Sequence, residues 1–162
     1  MDQLKVIDFG CGTGLVGKQL KARGVKSLTG LDCSKAMLEI AQKKGVYSTL
    51  QNILLGGEDY VQELPINFRN KFDFVTASGL IDVGVQDEEL FEQMLLPLKE
   101  GGVFVFSAQF SYLGDFWWVD KLEQLEKLGR IRKIYSNETF RYGNLKESIG
   151  RFGKQPVRIL AY

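Results

Sequence analysis

The sequence contains no histidine and only two cysteines, Cys11 and Cys33. Without histidine the chain cannot form a Ser-His or Cys-His nucleophile, an imidazole base or a His-containing zinc site. Two cysteines are too few for a Cys₄ cluster, so we expect no metal site. A disulfide between Cys11 and Cys33 would narrow a pocket, but reduced thiols that pack as small side chains fit the expected intracellular setting better.

No sign of charge dominates, because 21 lysines and arginines balance 20 acidic residues among 162. A net charge of +1 disfavours broad electrostatic binding to nucleic acids or anionic membranes. The apolar runs are far shorter than the ~20 residues that cross a bilayer, and no signal peptide is visible. We therefore expect a cytoplasmic protein, or else a nuclear one, that forms a monomer or a homodimer.

Short apolar runs alternate with amphipathic stretches along the chain. The runs predict strands over Leu4–Phe9, Ser27–Leu31, Tyr47–Leu55, Phe72–Ala77 and Val103–Ser107, with two more near Ile131–Tyr135 and Val157–Tyr162. The amphipathic stretches predict helices over Gly14–Arg23, from Ser34 to Gly45, and over Asp59–Leu64, Asp87–Lys99 and Asp115–Leu128.

Strands that alternate with crossover helices require a largely parallel sheet covered on both faces. The sequence thus predicts an α/β fold, a Rossmann-like three-layer α/β/α sandwich. Its sheet should have seven strands and be mostly parallel, with the last strand antiparallel. One of the final two strands should be antiparallel at the edge, because no clear helix separates them. One domain should span residues 1–162. The first helix should turn Leu15, Val16 and Leu20 inward, and the second helix should bury Ala36, Met37, Ile40 and Ala41.

The most informative stretch is Asp8-Phe9-Gly10-Cys11-Gly12-Thr13-Gly14, between the first strand and the first helix. Glycines at alternate positions let the backbone turn tightly and admit a ligand against bare main chain. At the end of the second strand, Asp32 can accept hydrogen bonds from both hydroxyls of a ribose. The pattern indicates a nucleoside site.

Two nucleoside cofactors fit this geometry. Gly12, Gly14 and Gly17 also spell G-x-G-x-x-G, which keeps a nicotinamide oxidoreductase as an alternative. The first of these glycines, however, lies three residues past Phe9 instead of at the strand end. Asp8 would also repel a pyrophosphate, whereas it could answer the ammonium of a methionine moiety directly or through water. The residues favour a sulfonium nucleoside.

The stretches VIDFGCGTG and GLDCSKAMLEIAQKK resemble the first two motifs of class I S-adenosylmethionine-dependent methyltransferases. FDFVTASGLIDVG and LLPLKEGGVFVFS are similar to the motifs around the fourth and fifth strands. Within the family, the chain is most similar to small methyltransferase-like proteins. The resemblance implies S-adenosylmethionine as the cofactor and S-adenosylhomocysteine as the product. It also implies that the methyl acceptor is either a small molecule or a protein side chain.

The resemblance also implies which residues hold the cofactor. Those near its methionine and ribose would be Asp8, Gly10, Cys11, Gly12, Gly14 and Asp32. Those near the adenosine would be Cys33, Met37, Asn52 and Ile53. Just past the fourth strand, the residues beside the sulfonium and methyl would be Ala77, Ser78 and Gly79.

Methyl transfer needs positioning more than side-chain chemistry, because the sulfonium already activates the methyl. No catalytic residue is evident. Ser78 is a weak candidate, and Asp82 or Tyr112 could remove a proton from the acceptor. Ala77-Ser78-Gly79-Leu80 lacks the Asn/Asp-Pro-Pro-aromatic signature of base-nitrogen methylation. Aromatic residues after the fifth strand could wall the acceptor site or pack a helix onto the sheet: Phe110, Tyr112, Phe116, Trp117 and Trp118.

A module that binds the cofactor without catalysis is a second interpretation. The sequence begins at the first predicted strand, and in this family lid helices often precede that strand. We expect those helices to be missing, which would leave water poorly excluded from the site.

Overall fold

The structure is a computed structural model that describes residues 4–54, 64–81, 88–109, 117–141 and 155–162. Its strands are β1 (Lys5–Phe9), β2 (Ser27–Asp32), β3 (Thr49–Asn52), β4 (Phe72–Ile81), β5 (Leu98–Gln109), β6 (Tyr135–Arg141) and β7 (Gln155–Ala161). Its helices are α1 (Leu15–Ala22), α2 (Lys35–Lys44), α3 (Glu88–Leu95) and α4 (Trp117–Lys127), with a 3₁₀ turn over Ile66–Phe68.

The seven strands form one sheet in the order β3-β2-β1-β4-β5-β7-β6. β1 pairs in parallel with both β2 and β4, and β2 pairs in parallel with β3. β7 is antiparallel to both of its neighbours, β5 and β6. The predicted Rossmann-like α/β class and the antiparallel last strand are confirmed. Of the last two strands, β6 occupies the edge of the sheet and pairs antiparallel with β7, as expected.

The chain divides into two compact units. The first contains Met1–Ser78 and Asp87–Phe104, and the second contains Gly79–Gln86 and Val105–Tyr162. β1, β2, β3, α1 and α2 belong wholly to the first unit, which therefore carries the glycine loop. The single domain expected from the sequence stays a prediction.

The structure corrects the predicted boundary between the helix Asp87–Lys99 and the fifth strand, and Pro97 explains the difference. α3 ends at Leu95, and β5 already begins at Leu98, so Leu98 is not a helical residue and Gly101 lies inside the strand. A proline has no N–H to donate and restricts the residue before it, which ends the helix. The carbonyl of Pro97 instead accepts hydrogen bonds from the amides of Lys71 and Phe72.

β6 begins four residues later than the start of the strand predicted near Ile131, and it extends to Arg141. Its sequence is mostly polar, so the apolar pattern did not reveal it. The strand is instead fixed by antiparallel pairing with β7, from Tyr135 opposite Ala161 to Arg141 opposite Gln155. Polar residues are common on edge strands, where they deter pairing with other chains.

The predicted apolar stripes of α1 and α2 were partly wrong. Leu15 is 68% exposed, while Val16 and Leu20 are half-buried. In α2 the buried residues are Leu38 and Ala41, and the exposed ones are Ala36, Met37 and Ile40. Met37 and Ile40 have the same spacing as Leu38 and Ala41, so helical periodicity alone cannot choose between the two faces.

β3 is shorter than the strand predicted from Tyr47 to Leu55, and Tyr47 lies in the connection that precedes it. Val6, Val25 and Leu28 form a buried cluster against which Tyr47 packs. Because alternate side chains of a strand share a face, Asp8 of β1 lies on the same face as Val6. This cluster therefore underlies the glycine loop. The helix predicted at Asp59–Leu64 lies outside the described residues except for Leu64.

Candidate cofactor site

The loop between β1 and α1 has a backbone that only glycine adopts readily. Gly10, Gly12 and Gly14 have φ angles of 62°, 53° and 82°, in the left-handed region. Among the described residues, the nearest atom to a Cβ added at Gly12 would be the Gly10 carbonyl oxygen, at 3.9 Å. The loop thus presents bare main chain with space beside it, as a bound ligand requires.

Asp32 joins the end of β2 to this loop. Its Oδ2 accepts a hydrogen bond from the amide of Gly12, and its Oδ1 accepts one from the amide of Ser34, both at 2.8 Å. Since a carboxylate oxygen has two lone pairs, each oxygen can still accept another hydrogen bond. Asp32 can therefore receive ribose hydroxyls while it holds the loop.

Asn52 and Ile53 continue the same edge from β3. The Asn52 side-chain amide donates to the carbonyls of Asp32 at 3.0 Å and Cys33 at 2.8 Å, and the amide of Ile53 also donates to the Asp32 carbonyl. These bonds use the nitrogen of the Asn52 side chain, so its carbonyl oxygen is the atom that can accept from an adenine amine. That contact stays a prediction.

Asp8 lies behind the loop and is 1% exposed. Its Oδ2 accepts from the Tyr47 hydroxyl and its Oδ1 from the Thr76 hydroxyl, both at 2.7 Å. Burial raises the pKa of Asp8 to about 6, against the two hydroxyl hydrogen bonds that lower it. Within the described ranges no lysine or arginine pairs with this carboxylate. An uncompensated buried anion fits a cationic ligand.

The sequence analysis missed Tyr47, whose ring lies beneath the loop. Its hydroxyl also accepts from the amide of Gly17 at 3.2 Å, and burial beside Asp8 raises the pKa of the phenol. A Cβ at Gly17 would overlap the ring, and one at Gly30 would lie 3.1 Å from it. Glycine within a helix or a strand costs stability, so these two glycines were a usable signal for close packing.

Cys11 and Cys33 are both free thiols, as the preferred interpretation expected. Cys11 is buried, and burial raises the pKa of its thiol to about 12, with Asp8 and Asp32 adding to the shift. Cys33 is exposed. Met37 is 44% exposed on the first turn of α2, so its thioether is accessible to a ligand near Asp32.

Ala77, Ser78 and Gly79 lie inside β4 rather than past it, which corrects the predicted strand end. β4 continues because Ala77 still pairs with Phe9 and the amide of Gly79 donates to the Ser107 hydroxyl at 2.9 Å. Ala77 is fully buried, whereas Ser78 is exposed. Of the three, Ser78 has the accessible side chain.

Two of the candidate catalytic residues, Asp82 and Tyr112, lie outside the described residues, as do Phe110 and Phe116. Trp118 is buried, and its ring meets that of Phe106 edge-on at 6.4 Å between centroids. The interpretation that aromatic rings pack a helix onto the sheet therefore holds for Trp118. Among the residues that the structure describes, no three His, Cys, Asp or Glu side chains are grouped to hold a metal.

A family model described as a methyltransferase domain matches residues 6–102. These residues run from the second residue of β1 through α3 and include the glycine loop and Asp32. The chain belongs to this methyltransferase family, whose cofactor is S-adenosylmethionine. The match does not support the nicotinamide alternative, and the packing of Gly17 against Tyr47 accounts for the third glycine of the G-x-G-x-x-G pattern.

Individual curated relatives agree with this family assignment. Human methyltransferase-like protein 27 is 47% identical over 79 residues, which cover 49% of this chain and 30% of that protein. It is a protein of the Williams–Beuren region and bears out the predicted similarity to small methyltransferase-like proteins. A ubiquinone biosynthesis O-methyltransferase of Histophilus somni is 27% identical over 112 residues, 67% of this chain and 46% of that one. The chain thus spans less than half the length of these curated relatives.

The fold has close structural counterparts. The crystal structure of an S-adenosylmethionine-dependent methyltransferase from Mesorhizobium loti superimposes with a TM-score of 0.66 at 21% identity. The alignment covers 98% of this chain and 91% of that one. The described residues contain no helix that is both long and apolar enough to cross a membrane.

Proposed function

We propose that the chain binds S-adenosylmethionine at the loop between β1 and α1 and transfers its methyl group to a small-molecule or protein acceptor. The observation that carries this proposal is the hydrogen bond from the Gly12 amide to Asp32. It joins the two halves of a nucleoside site, the bare loop and the acid at the end of the next strand.

The charges beside the loop favour a cationic cofactor. Asp8 and Asp32 both flank it; burial is the main cause that raises the pKa of Asp8, and the charge of Asp32 adds the smallest contribution in the same direction. A pyrophosphate would add further negative charge, whereas an ammonium or a sulfonium would relieve the repulsion. Lys44 donates to the Thr13 carbonyl at 2.6 Å and fixes the loop from the side of α2.

Each residue of the site would hold one part of the cofactor. Asp32 would accept from the ribose hydroxyls, and Met37 and Asn52 would contact the adenosine. Asp8, being buried, would act on the methionine ammonium electrostatically or through water. The cofactor supplies the activated methyl, and the protein contributes alignment of the two reactants and exclusion of water.

The acceptor side of the site stays a prediction. The exposed Ser78 is the described candidate there, and Asp82 and Tyr112 are the other two. The Histophilus somni relative is named as an O-methyltransferase of ubiquinone biosynthesis, which makes a hydroxyl on a small molecule a reasonable first acceptor to test. A protein side chain is the second.

Calorimetric titration with S-adenosylmethionine, S-adenosylhomocysteine and NAD tests the cofactor. We expect both sulfur nucleosides to bind and NAD to give no heat of binding. Binding of NAD without either sulfur nucleoside would overturn the proposal.

Transfer of a radiolabelled methyl from S-adenosylmethionine into cell extract tests catalysis. Label in the low-molecular-mass fraction would support a small-molecule acceptor, and label in the protein fraction would support a side chain. Cofactor binding without transfer to either fraction would instead support the non-catalytic module.

A further inference from the structure

The first turn of α1 lacks a capping side chain of its own. The residue before the helix is Gly14, which has no side chain that could accept from the first-turn amides. Those amides have no partner inside the helix and need an acceptor from elsewhere. For Gly17 the acceptor is the hydroxyl of Tyr47, at 3.2 Å, from a connection 30 residues later in the chain.

The same hydroxyl also serves Asp8. It accepts from the Gly17 amide and donates to the Asp8 carboxylate at 2.7 Å, so one oxygen joins the helix start to the buried acid. The phenol stays protonated, and hence a donor, because burial and the neighbouring Asp8 raise its pKa.

The ring of Tyr47 fixes the geometry further. An added Cβ would overlap the ring at Gly17 and would lie 3.1 Å from it at Gly14 and at Gly30. The ring therefore packs close to the backbone of three glycines. A ring held in this way can hold the loop in turn.

We infer that Tyr47 is a positioning residue for the methionine half of S-adenosylmethionine. It acts through Gly17, which it ties to the start of α1, and through Asp8, whose carboxylate it orients beneath the loop. The inference rests on the proposed function. It differs from a purely structural role for Tyr47, because the adenosine half is held by Asp32, Met37 and Asn52 and should not depend on this hydroxyl.

Two ligands separate these roles: S-adenosylhomocysteine, which has the amino-acid moiety, and 5′-methylthioadenosine, which lacks it. Tyr47→Phe removes the hydroxyl but keeps the ring. Because the Asp8 carboxylate loses the donor that orients it, we expect Tyr47→Phe to weaken S-adenosylhomocysteine binding about tenfold or more. Binding of 5′-methylthioadenosine should change less than about twofold.

Two further variants complete the experiment. Tyr135→Phe makes the same chemical change at an exposed tyrosine of β6 and should change neither affinity. Thr76→Val removes the other hydroxyl on Asp8 and leaves the Gly17 bond intact, so it should weaken only S-adenosylhomocysteine, by less than Tyr47→Phe. Because this variant is nearly isosteric, it tests the inference even if Tyr47→Phe does not fold.

The outcomes distinguish the inference from the function on which it rests. Wild-type protein that binds neither nucleoside would overturn both. If the wild-type protein binds both nucleosides, but Tyr47→Phe or Thr76→Val weakens the binding of both equally or of neither, the inference alone is overturned. A selective loss of S-adenosylhomocysteine affinity supports it.

Discussion

The helices α1 and α2 follow neighbouring strands but begin in different ways. α2 has a local cap, because Ser34 immediately before it accepts from the amide of Met37 at 3.3 Å. α1 follows the glycine loop and has no local cap, so Tyr47 provides one from a distant part of the chain. In α1 the glycine loop leaves the backbone accessible to a ligand, and the capping group therefore comes from Tyr47, which lies behind the loop.

Asp32 links the two helix starts. One of its oxygens accepts from Gly12 in the loop before α1, and the other accepts from Ser34 at the start of α2. A nucleoside bound by Asp32 would therefore contact a residue that is hydrogen-bonded to the starts of both helices. Variants at each start should separate effects on stability from effects on cofactor binding.

The largest effect is expected from Gly17→Ala. In a helix free of other contacts, alanine in place of glycine stabilises by about 1 kcal/mol. Here the new Cβ would overlap the Tyr47 ring, so we expect the free energy of unfolding to fall by about 3 kcal/mol. Chemical denaturation measures it, with Lys18→Ala at the next, exposed position as the control. A stabilised Gly17→Ala protein would show that Tyr47 does not pack there.

Asp8→Asn should raise the free energy of unfolding, whereas Gly17→Ala lowers it. The ionised Asp8 is buried without a cationic partner in the described part of the chain, whereas asparagine can accept from one hydroxyl and donate to the other. We expect the free energy of unfolding at pH 7 to rise by about 2 kcal/mol while S-adenosylhomocysteine binding weakens. Equal destabilisation of the variant at pH 4 and pH 7 would contradict the assigned charge state.

The pH dependence of this difference follows from the pKa. The folded-state pKa of Asp8 is about 6, against an ordinary value of 3.8 for this side chain. Between these values the folded protein holds a proton that the unfolded chain has released, so wild-type stability from this group falls as pH rises from about 4 to 6. The advantage of Asp8→Asn should therefore grow over that window and stay constant above it.

Asp32→Asn should weaken nucleoside binding about tenfold through loss of charge-assisted hydrogen bonds. Unlike Tyr47→Phe, it should weaken S-adenosylhomocysteine and 5′-methylthioadenosine alike, since both contain the ribose. Unchanged affinity in Asp32→Asn would place the ribose elsewhere.

Ser34→Ala should give the smallest effect. Loss of the local cap should lower the free energy of unfolding by about 1 kcal/mol and leave cofactor affinity within about twofold. The Asp32 bond to the Ser34 backbone remains in this variant. Thermal unfolding and calorimetry on the same sample check both parts. A loss of affinity without a loss of stability would reverse the distinction between the two helix starts.

The glycine loop, Asp32 and the parallel character of the first strands could be predicted from the sequence because they are local signals. Alternating glycines, an acid after an apolar run, and regular strand–helix alternation all lie within short windows. The cap of α2 belongs to the same class, since Ser34 and Gly45 flank the helix directly.

What could not be predicted depends on contacts between distant residues. Tyr47 appeared to begin a strand, and nothing in its neighbourhood indicates Gly17 or Asp8 as partners. β6 is polar and is defined by pairing with β7. The buried face of α2 was misassigned because two apolar pairs have the same spacing. In each case contacts between distant residues determine the structure, and the local hydrophobic pattern alone does not.

The most direct test of the central claim is an amide NMR titration of the wild-type chain with S-adenosylhomocysteine. We predict that the largest shift changes fall on Gly10, Gly12, Gly14 and Asp32, with saturation at one equivalent and no change in β6 at Asn137. Shift changes confined to β6 and β7, with the glycine loop unmoved at saturation, would contradict the account.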